Sequence, residues 1–248
     1  MKLKVLSSES AGNCYILEND TSALIIEAGV SLTKLKQALN FNTEKVVGCI
    51  ISHEHGDHAG NLKQYAAAGI DIYTSHGTLE HFGLHLHTSH RLHEINAKQA
   101  TKIGEFTVIP FDVKHDAKQP FGFVIKHREC GNVLFVTDTH FIPFVFPGLN
   151  QILIEANYDE EILNKKVLDG NILPVVRKRI MTSHMSINIC KKALLANDLS
   201  KVVNIVLIHL SSGNSNAKQF KSVIQSATGK NVTVADKDIE IGFNLTSF

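Results

Sequence analysis

The chain of 248 residues has almost no excess of either charge: 25 Lys and Arg against 24 Asp and Glu leave a formal net charge of +1. A nucleic-acid partner therefore has no global electrostatic basis and must be argued from local patches. Cysteine is scarce too. Cys14, Cys49, Cys130 and Cys190 are widely spaced with no CxxC pair, so they read as buried free thiols, as expected in a reducing compartment. No stretch approaches the length needed to cross a bilayer. Residues 2–6, KLKVL, alternate like a strand and leave no room for the apolar core of a signal peptide. These absences lead us to expect a soluble cytoplasmic protein without a membrane partner. There is also no linker, low-complexity segment or charge run, so residues 1–248 read as one domain. Nothing in the sequence speaks to oligomeric state.

What is present is ordinary for a globular enzyme, with 44% apolar and 20% charged residues. The first quarter reads as three short strands (KLKVL, CYILE, ALIIE), a helix from Ser31 to Leu39, and a continuous apolar strand from Val46 to Ile51. A helix is expected over His58 to Ala68, ended by Gly69, and then a strand at IDIYT. Residues 105–135 are strand-rich. The last third alternates: a strand at ILIEA, helices near 159–167, 172–181 and 186–196, the strand VVNIVLIHL, and a helix near 216–226. Two strand-rich blocks, each followed by helices, predict an α/β fold of two packed sheets with helices outside.

The chemistry is concentrated in ISHEHGDHAG, residues 51–60, directly after the apolar strand. Neutral imidazoles and a carboxylate suit zinc and related divalent ions. Spacing of two lets His53 and His55 point the same way from an extended segment, and Gly56 permits a turn that aims Asp57 and His58 at a second point. Glu54 points oppositely and reads as a non-ligand, free to form a salt bridge. Four ligands split two and two imply two metal ions, zinc or manganese, since the same N and O donors accept both. One short stretch cannot complete two coordination spheres. The remaining donors are sought at strand ends, where His115, Asp138 and His209 each close an apolar or alternating run.

SHEHGDH followed by His115, Asp138 and His209 in this order resembles the metallo-β-lactamase superfamily. The resemblance implies a four-layer αββα sandwich. It implies that His53, His55 and His115 bind one metal, Asp57, His58 and His209 the other, and that Asp138 bridges them. SSESAGNCYIL, VKHDAKQPFGFVI, LIEANYDEEIL, SHMSIN and IHLSSGN narrow the resemblance to the WalJ-like (YycJ) branch, a group of phosphodiesterases and exonuclease-like enzymes. By the same comparison Glu155 and His184 match the acidic and late histidine elements of the transfer-RNA processing nucleases, and form a dyad that protonates the leaving oxygen.

Only 23 residues separate His115 from Asp138, too few for the RNA-gripping arm of those nucleases. The 71 residues from Asp138 to His209 are too few for the inserted domain of the β-CASP nucleases. Glu27 stands where the family usually has Asp, SHMSIN replaces the commoner Gly-His-Leu-Ser-Asn, and His140 stands in place of a glycine.

The expectation is a metal-dependent phosphodiesterase, a nuclease acting on DNA or RNA with a hydroxide held between two metals. Asp57, Glu155 and His184 are the catalytic candidates. The alternatives are a thioesterase of the glyoxalase II type, and a non-catalytic metal-binding regulatory protein on the same fold. Three further features stand apart from the donor set. His76, His81, His85, His87, His90 and His93 read as a polar rim or lid beside the cleft, with His81 and His85 one turn apart on a possible helix. RKR at 177–179 reads as a solvated helix face, or as a phosphate contact if that helix flanks the cleft. SSGN at 211–214 suits phosphate binding at a helix start, or simple capping by Asn214 or Ser215.

Overall fold

The computed structural model describes residues 1–86 and 89–245. In chain order β1 (Lys2–Glu9), β2 (Gly12–Glu18), β3 (Ala23–Ile26), β4 (Val46–Ile50), β5 (Ile72–Thr74) and β6 (Leu92–Glu94) build one sheet. Helices α1 (Leu32–Ala38), α2 (Gly56–Ala59), α3 (Leu62–Ala67) and α4 (His76–His81) are interleaved with them. A second sheet follows: β7 (Thr101–Ile103), β8 (Phe106–Asp112), β9 (Phe121–His127), β10 (Gly131–Val136), β11 (Leu149–Glu155), β12 (Asn204–Ile208) and β13 (Asn231–Val234). Its helices are α5 (Glu160–Leu168), α6 (Pro174–Ser183), α7 (Ile187–Leu195) and α8 (Ala217–Thr228). The last strand, β14 (Ile239–Gly242), returns to pair antiparallel with β1.

Alternation in the apolar strands explains the layering. In β11, Leu153 faces the other sheet while Ile152 and Ile154 face α7 and α8; in β12, Val206 and Ile208 face inward and Ile205 and Leu207 outward. Strands covered on both faces must be apolar on both, and these are. Three apolar layers result. Leu3, Val5, Tyr15, Phe121, Phe123 and Phe135 fill the space between the sheets. Phe220 and Ile224 of α8 close one outer face, and Leu35, Leu62, Tyr65 and Leu79 close the other. The fold is the expected four-layer αββα sandwich. All four cysteines are free and buried in these layers.

The topology also decides where chemistry can sit. β3, β4 and β5 run parallel, as do β10, β11, β12 and β13, so their carboxyl ends gather at one edge of each sheet. Loops leaving those ends meet across the sandwich: the His209 amide donates to Ser8 Oγ of β1 at 2.9 Å.

Two local expectations are corrected. The helix expected over 58–68 is two short helices, because the His58 carbonyl accepts the Ala28 amide (2.6 Å) and the Asn61 amide turns to the Ala28 carbonyl (2.9 Å). Those bonds tie the loop to the end of β3 and interrupt the helical ladder. Helix α4 stops at His81, so His81 and His85 do not stack on one helix. Ser31 caps α1 through a bond from the Lys34 amide. Among the described residues, no helix is long and apolar enough to cross a membrane.

Candidate metal centre

Every one of the seven expected donors reaches the same edge of the sandwich. The ligating atoms of His53, His55, His115 and Asp138 all lie within 4.8 Å of one another, and so do those of Asp57, His58, Asp138 and His209. Asp138 belongs to both groups. Its Oδ2 is 3.6 Å from His53 Nε2, 3.3 Å from His58 Nε2 and 3.4 Å from His115 Nε2, while Oδ1 is 3.2 Å from His209 Nδ1. Asp57 Oδ2 stands 3.2 Å from His58 Nε2 and 3.3 Å from His209 Nε2. A third group joins Glu155 and His184 to Asp138 and His209.

The strand ends aim these side chains through unusual backbone. Glu27, Asp138 and His209 follow β3, β10 and β12 with φ of +69°, +42° and +53°. Non-glycine residues in that region are held there at a cost of about 1–3 kcal/mol each, and such outliers cluster at functional sites. Gly29 shows how closely the loops approach: a Cβ there would lie 1.9 Å from the Asp57 carbonyl oxygen and 2.4 Å from the Asn13 amide nitrogen.

The hydrogen-bond pattern suits a cation. The Nδ1 of His115 donates to the Ser183 carbonyl at 2.8 Å, which leaves the lone pair of the neutral ring on Nε2. That lone pair faces the Asp138 carboxylate at 3.4 Å and His55 Nδ1 at 3.1 Å. His55 Nδ1 is also 3.1 Å from His53 Nε2, and one proton cannot serve both neighbours. On the far side, His58 Nδ1 and Glu27 Oε1 are buried, 3.6 Å apart and without a hydrogen bond. Glu27 lies behind His58 and takes the Ser52 amide on Oε2 (3.3 Å). Electron-rich atoms converging without enough protons are the signature of a site shaped for divalent metal.

Protonation divides the cluster in two. Burial pushes His53 and His115 down, toward the neutral form that ligates metal. Burial would do the same to His209, but Asp138, Asp57 and Glu155 overrule it and raise the ring to about 10. His58 is likewise raised against its burial by Asp138 and Glu27. For Asp138 burial alone would raise the carboxyl, yet His209 and His58 hold it well below the usual carboxylate range.

Beside this cluster stands a second device. Glu155 is fully buried, and its Oε2 accepts the amides of Thr139 and Met185, each at 3.1 Å. Its Oε1 takes His184 Nδ1 at 2.7 Å and lies 3.3 Å from His209 Nδ1. Burial would raise this carboxyl too, but His184 brings it below its ordinary value. His184 ends α6 and stacks on His209 with ring centres 5.6 Å apart. A cleft of about 500 Å³ opens over both devices, lined by His55, Asp57, His115, Asp138, His184 and His209, together with Asp116, Val176, Arg179 and Ile180.

The remaining expectations meet mixed outcomes. Glu54 is buried, stands outside the three donor groups and accepts the Lys118 backbone amide at 2.6 Å, and it forms no ion pair among the described residues. The histidine-rich segment is anchored at both its ends. His76 pairs with Glu94 at 3.1 Å and His93 with Asp71 at 3.2 Å, along β5 and β6, and none of the described histidines of that segment lines the cleft. His87 lies outside the described residues. Asn216, not Asn214 or Ser215, caps α8, because Ser215 is bonded to the Ser211 carbonyl and the Asn214 carbonyl takes the Asp159 amide.

Three supporting residues escaped the sequence reading. Asn13 Nδ2 donates to Asp57 Oδ2 at 3.1 Å. Asn157 Nδ2 donates to the His209 carbonyl at 2.9 Å, and Ser8 accepts the His209 amide. All three lie within quoted strings, Ser8 and Asn13 in SSESAGNCYIL and Asn157 in LIEANYDEEIL, with no role toward the donors read from them.

Known proteins align with this arrangement over most of its length. Residues 23–210 match the family model described as a beta-lactamase superfamily domain. The exodeoxyribonuclease WalJ of Streptococcus pneumoniae is 26% identical over 258 aligned residues, covering 98% of this chain and 93% of that protein. The exodeoxyribonuclease YycJ of Bacillus anthracis is 27% identical over 229, covering 87% and 84%. Among solved structures, the metallo-beta-lactamase fold protein YhfI from Bacillus subtilis superposes with a TM-score of 0.75 at 17% identity, covering 97% of this chain and 98% of that one, a likeness of fold.

Metal uptake should release protons. The raised His58 and His209 carry protons at pH 7 in the metal-free chain and must lose them before ligating, so affinity should weaken as pH falls. Titrating zinc into metal-free protein in two buffers of different ionisation enthalpy should show release of about one proton or more per chain. Binding with no proton release would contradict this protonation pattern.

Proposed function

This chain belongs to the beta-lactamase superfamily, and we propose that within it the protein is a phosphodiesterase that holds two divalent ions, zinc or manganese, and trims nucleic-acid ends. His53, His55 and His115 would hold one ion, Asp57, His58 and His209 the other, with Asp138 between them. Bound there, the ions supply Lewis acidity and activate water for attack on phosphorus near neutral pH.

The observation that carries the reading is the 2.7 Å contact between Glu155 and His184, on the wall of the same cleft as the donor cluster. Hydrolysis of an unactivated phosphodiester leaves an alkoxide, a poor leaving group that needs a proton. His184 is built to provide one. Burial would discharge its ring, but Glu155 reverses that effect and raises it above the ordinary value. With Nδ1 turned to Glu155, the other ring nitrogen is left for the cleft, where the side chain is 22% exposed. The Thr139 and Met185 amides hold Glu155 in place, so the ring stays oriented. Asp57 is steadied by Asn13 and His209 by Asn157.

Support also comes from the two curated relatives, both named as exodeoxyribonucleases and both aligned over more than four-fifths of their length. A thioester substrate would leave the His184–Glu155 pair without a task, because a thiolate departs without a proton.

Two substitutions test the reading. Asp57→Ala should abolish phosphodiester hydrolysis while leaving the circular dichroism spectrum and thermal transition cooperative; normal turnover would sink the scheme. His184→Ala should slow hydrolysis of an oligonucleotide by about 10²- to 10⁴-fold, the usual worth of a general acid. Its loss on bis(p-nitrophenyl) phosphate, whose leaving group needs no proton, should be much smaller. Equal losses on both substrates would remove His184 from that role.

A further inference from the structure

Helix α6 is unusual in burying almost nothing. Of its ten residues only Ser183 is buried, while Leu173 ahead of it and Val175 within it are 66% and 69% exposed. Polar bonds tie it down: the Ser183 carbonyl receives His115 Nδ1 at 2.8 Å, and Arg177 Nε donates to Asn164 of α5 at 2.7 Å. Val176, Arg179, Ile180 and Ser183 are spaced three and four apart and share one face. The first three of them line the cleft, so α6 is a wall of the site rather than a piece of the core.

Arg179 is the one Lys or Arg among the described residues lining that cleft, against the carboxylates of Asp57, Asp116 and Asp138. Its Nε donates to Asp116 Oδ2 at 3.1 Å, while Asp116 Oδ1 lies 3.3 Å from His115 Nε2. A single carboxylate therefore spans from the ligating edge of a candidate donor to the guanidinium. The pair is open to water, with Arg179 72% and Asp116 40% exposed, and such exposed pairs are weak. A phosphate is a stronger partner, because a guanidinium grips it with two parallel charge-assisted bonds.

Resting on the phosphodiesterase reading above, we propose that Arg179 holds the phosphate next to the one being cleaved, and that Asp116 occupies Arg179 when the cleft is empty. Asp116 spans from His115 to Arg179, so a strand with its scissile phosphate at the donor cluster can present the neighbouring phosphate to Arg179 in its place. The consequence is selection: a substrate with a second phosphate displaces Asp116 and is retained, and a lone phosphodiester is not. Val176 and Ile180 flank Arg179 with apolar surface for the sugar or base that joins the two phosphates.

The test compares the thymidine dinucleotide TpT with the same dinucleotide phosphorylated at its 5′ end or at its 3′ end. The wild-type enzyme should prefer one phosphorylated form over TpT by at least about tenfold in kcat/KM, the usual worth of one charge-assisted contact. The preferred end also gives the direction in which the strand lies. Arg179→Ala should erase that preference, Arg179→Lys should keep part of it, and Asp116→Asn should keep or enlarge it by removing the competitor. On oligonucleotides Arg179→Ala should lower the salt dependence of binding by about one unit of slope. Absence of any preference in the wild type, or a preference that survives Arg179→Ala, would overturn the proposal. Failure of the wild type to cleave all three dinucleotides and bis(p-nitrophenyl) phosphate would instead overturn the phosphodiesterase reading, and the proposal with it.

Discussion

The molecule is organised around one electrostatic constraint: acids and imidazoles are packed together where little water reaches. Glu27, Asp138 and Glu155 are at most 3% exposed, and His53, His58 and His209 at most 2%. Buried charges are costly unless paired, and buried imidazoles facing carboxylates with lone pairs are short of protons. A divalent cation resolves both problems at once, attracting the acids and accepting the lone pairs. The contrast in protonation across the cluster follows from the same source. Where His53, His55 and His115 share Asp138, burial pushes His53 and His115 toward the neutral form; where Asp57 and Asp138 flank His58 and His209, protons stand in for metal.

The fold supplies the rigidity that this crowding demands. Parallel strands end together, and apolar layers on both faces of each sheet hold those ends in register. Only such a scaffold can keep Glu27, Asp138 and His209 in left-handed backbone, a conformation that free chains avoid. Side chains outside the donor groups complete the arrangement. Ser8 bridges from β1 to the His209 amide, and Asn13 and Asn157 steady one member of the second donor group each. The same rigidity holds a second pair in the cleft, since Glu155 Oε1 accepts His184 Nδ1 at 2.7 Å and also lies 3.3 Å from His209 Nδ1.

Much of this was legible in the sequence, for physical reasons. Four of the seven donors lie within six residues, and imidazoles and carboxylates packed that densely serve a metal far better than a core. His115, Asp138 and His209 stood out because a lone polar residue at the end of an apolar strand needs a task. The layered sheets followed from strands apolar on both faces. Asn157 and Ser8 lay inside LIEANYDEEIL and SSESAGNCYIL, but their support of His209 did not show, because an amide or hydroxyl at a strand end has no characteristic spacing. The break at Asn61 was hidden for a related reason: it depends on backbone bonds to Ala28, and backbone bonds leave no mark in side-chain periodicity. The histidine-rich segment suggested chemistry by composition, but among its described residues His93 meets Asp71 and His76 meets Glu94 beside β5 and β6, outside the lining of the cleft. Of RKR, Arg179 lines the cleft while Arg177 turns to Asn164.

The central claim is that this edge of the sandwich is shaped for two divalent ions sharing Asp138. It is tested most directly by metal content. The chain would be stripped with chelator, saturated separately with zinc and with manganese, passed through gel filtration and measured by elemental analysis. Close to two ions per wild-type chain are expected with at least one of the metals, and no more than one in Asp138→Ala. A wild-type chain that emerges without metal from both treatments would contradict the claim.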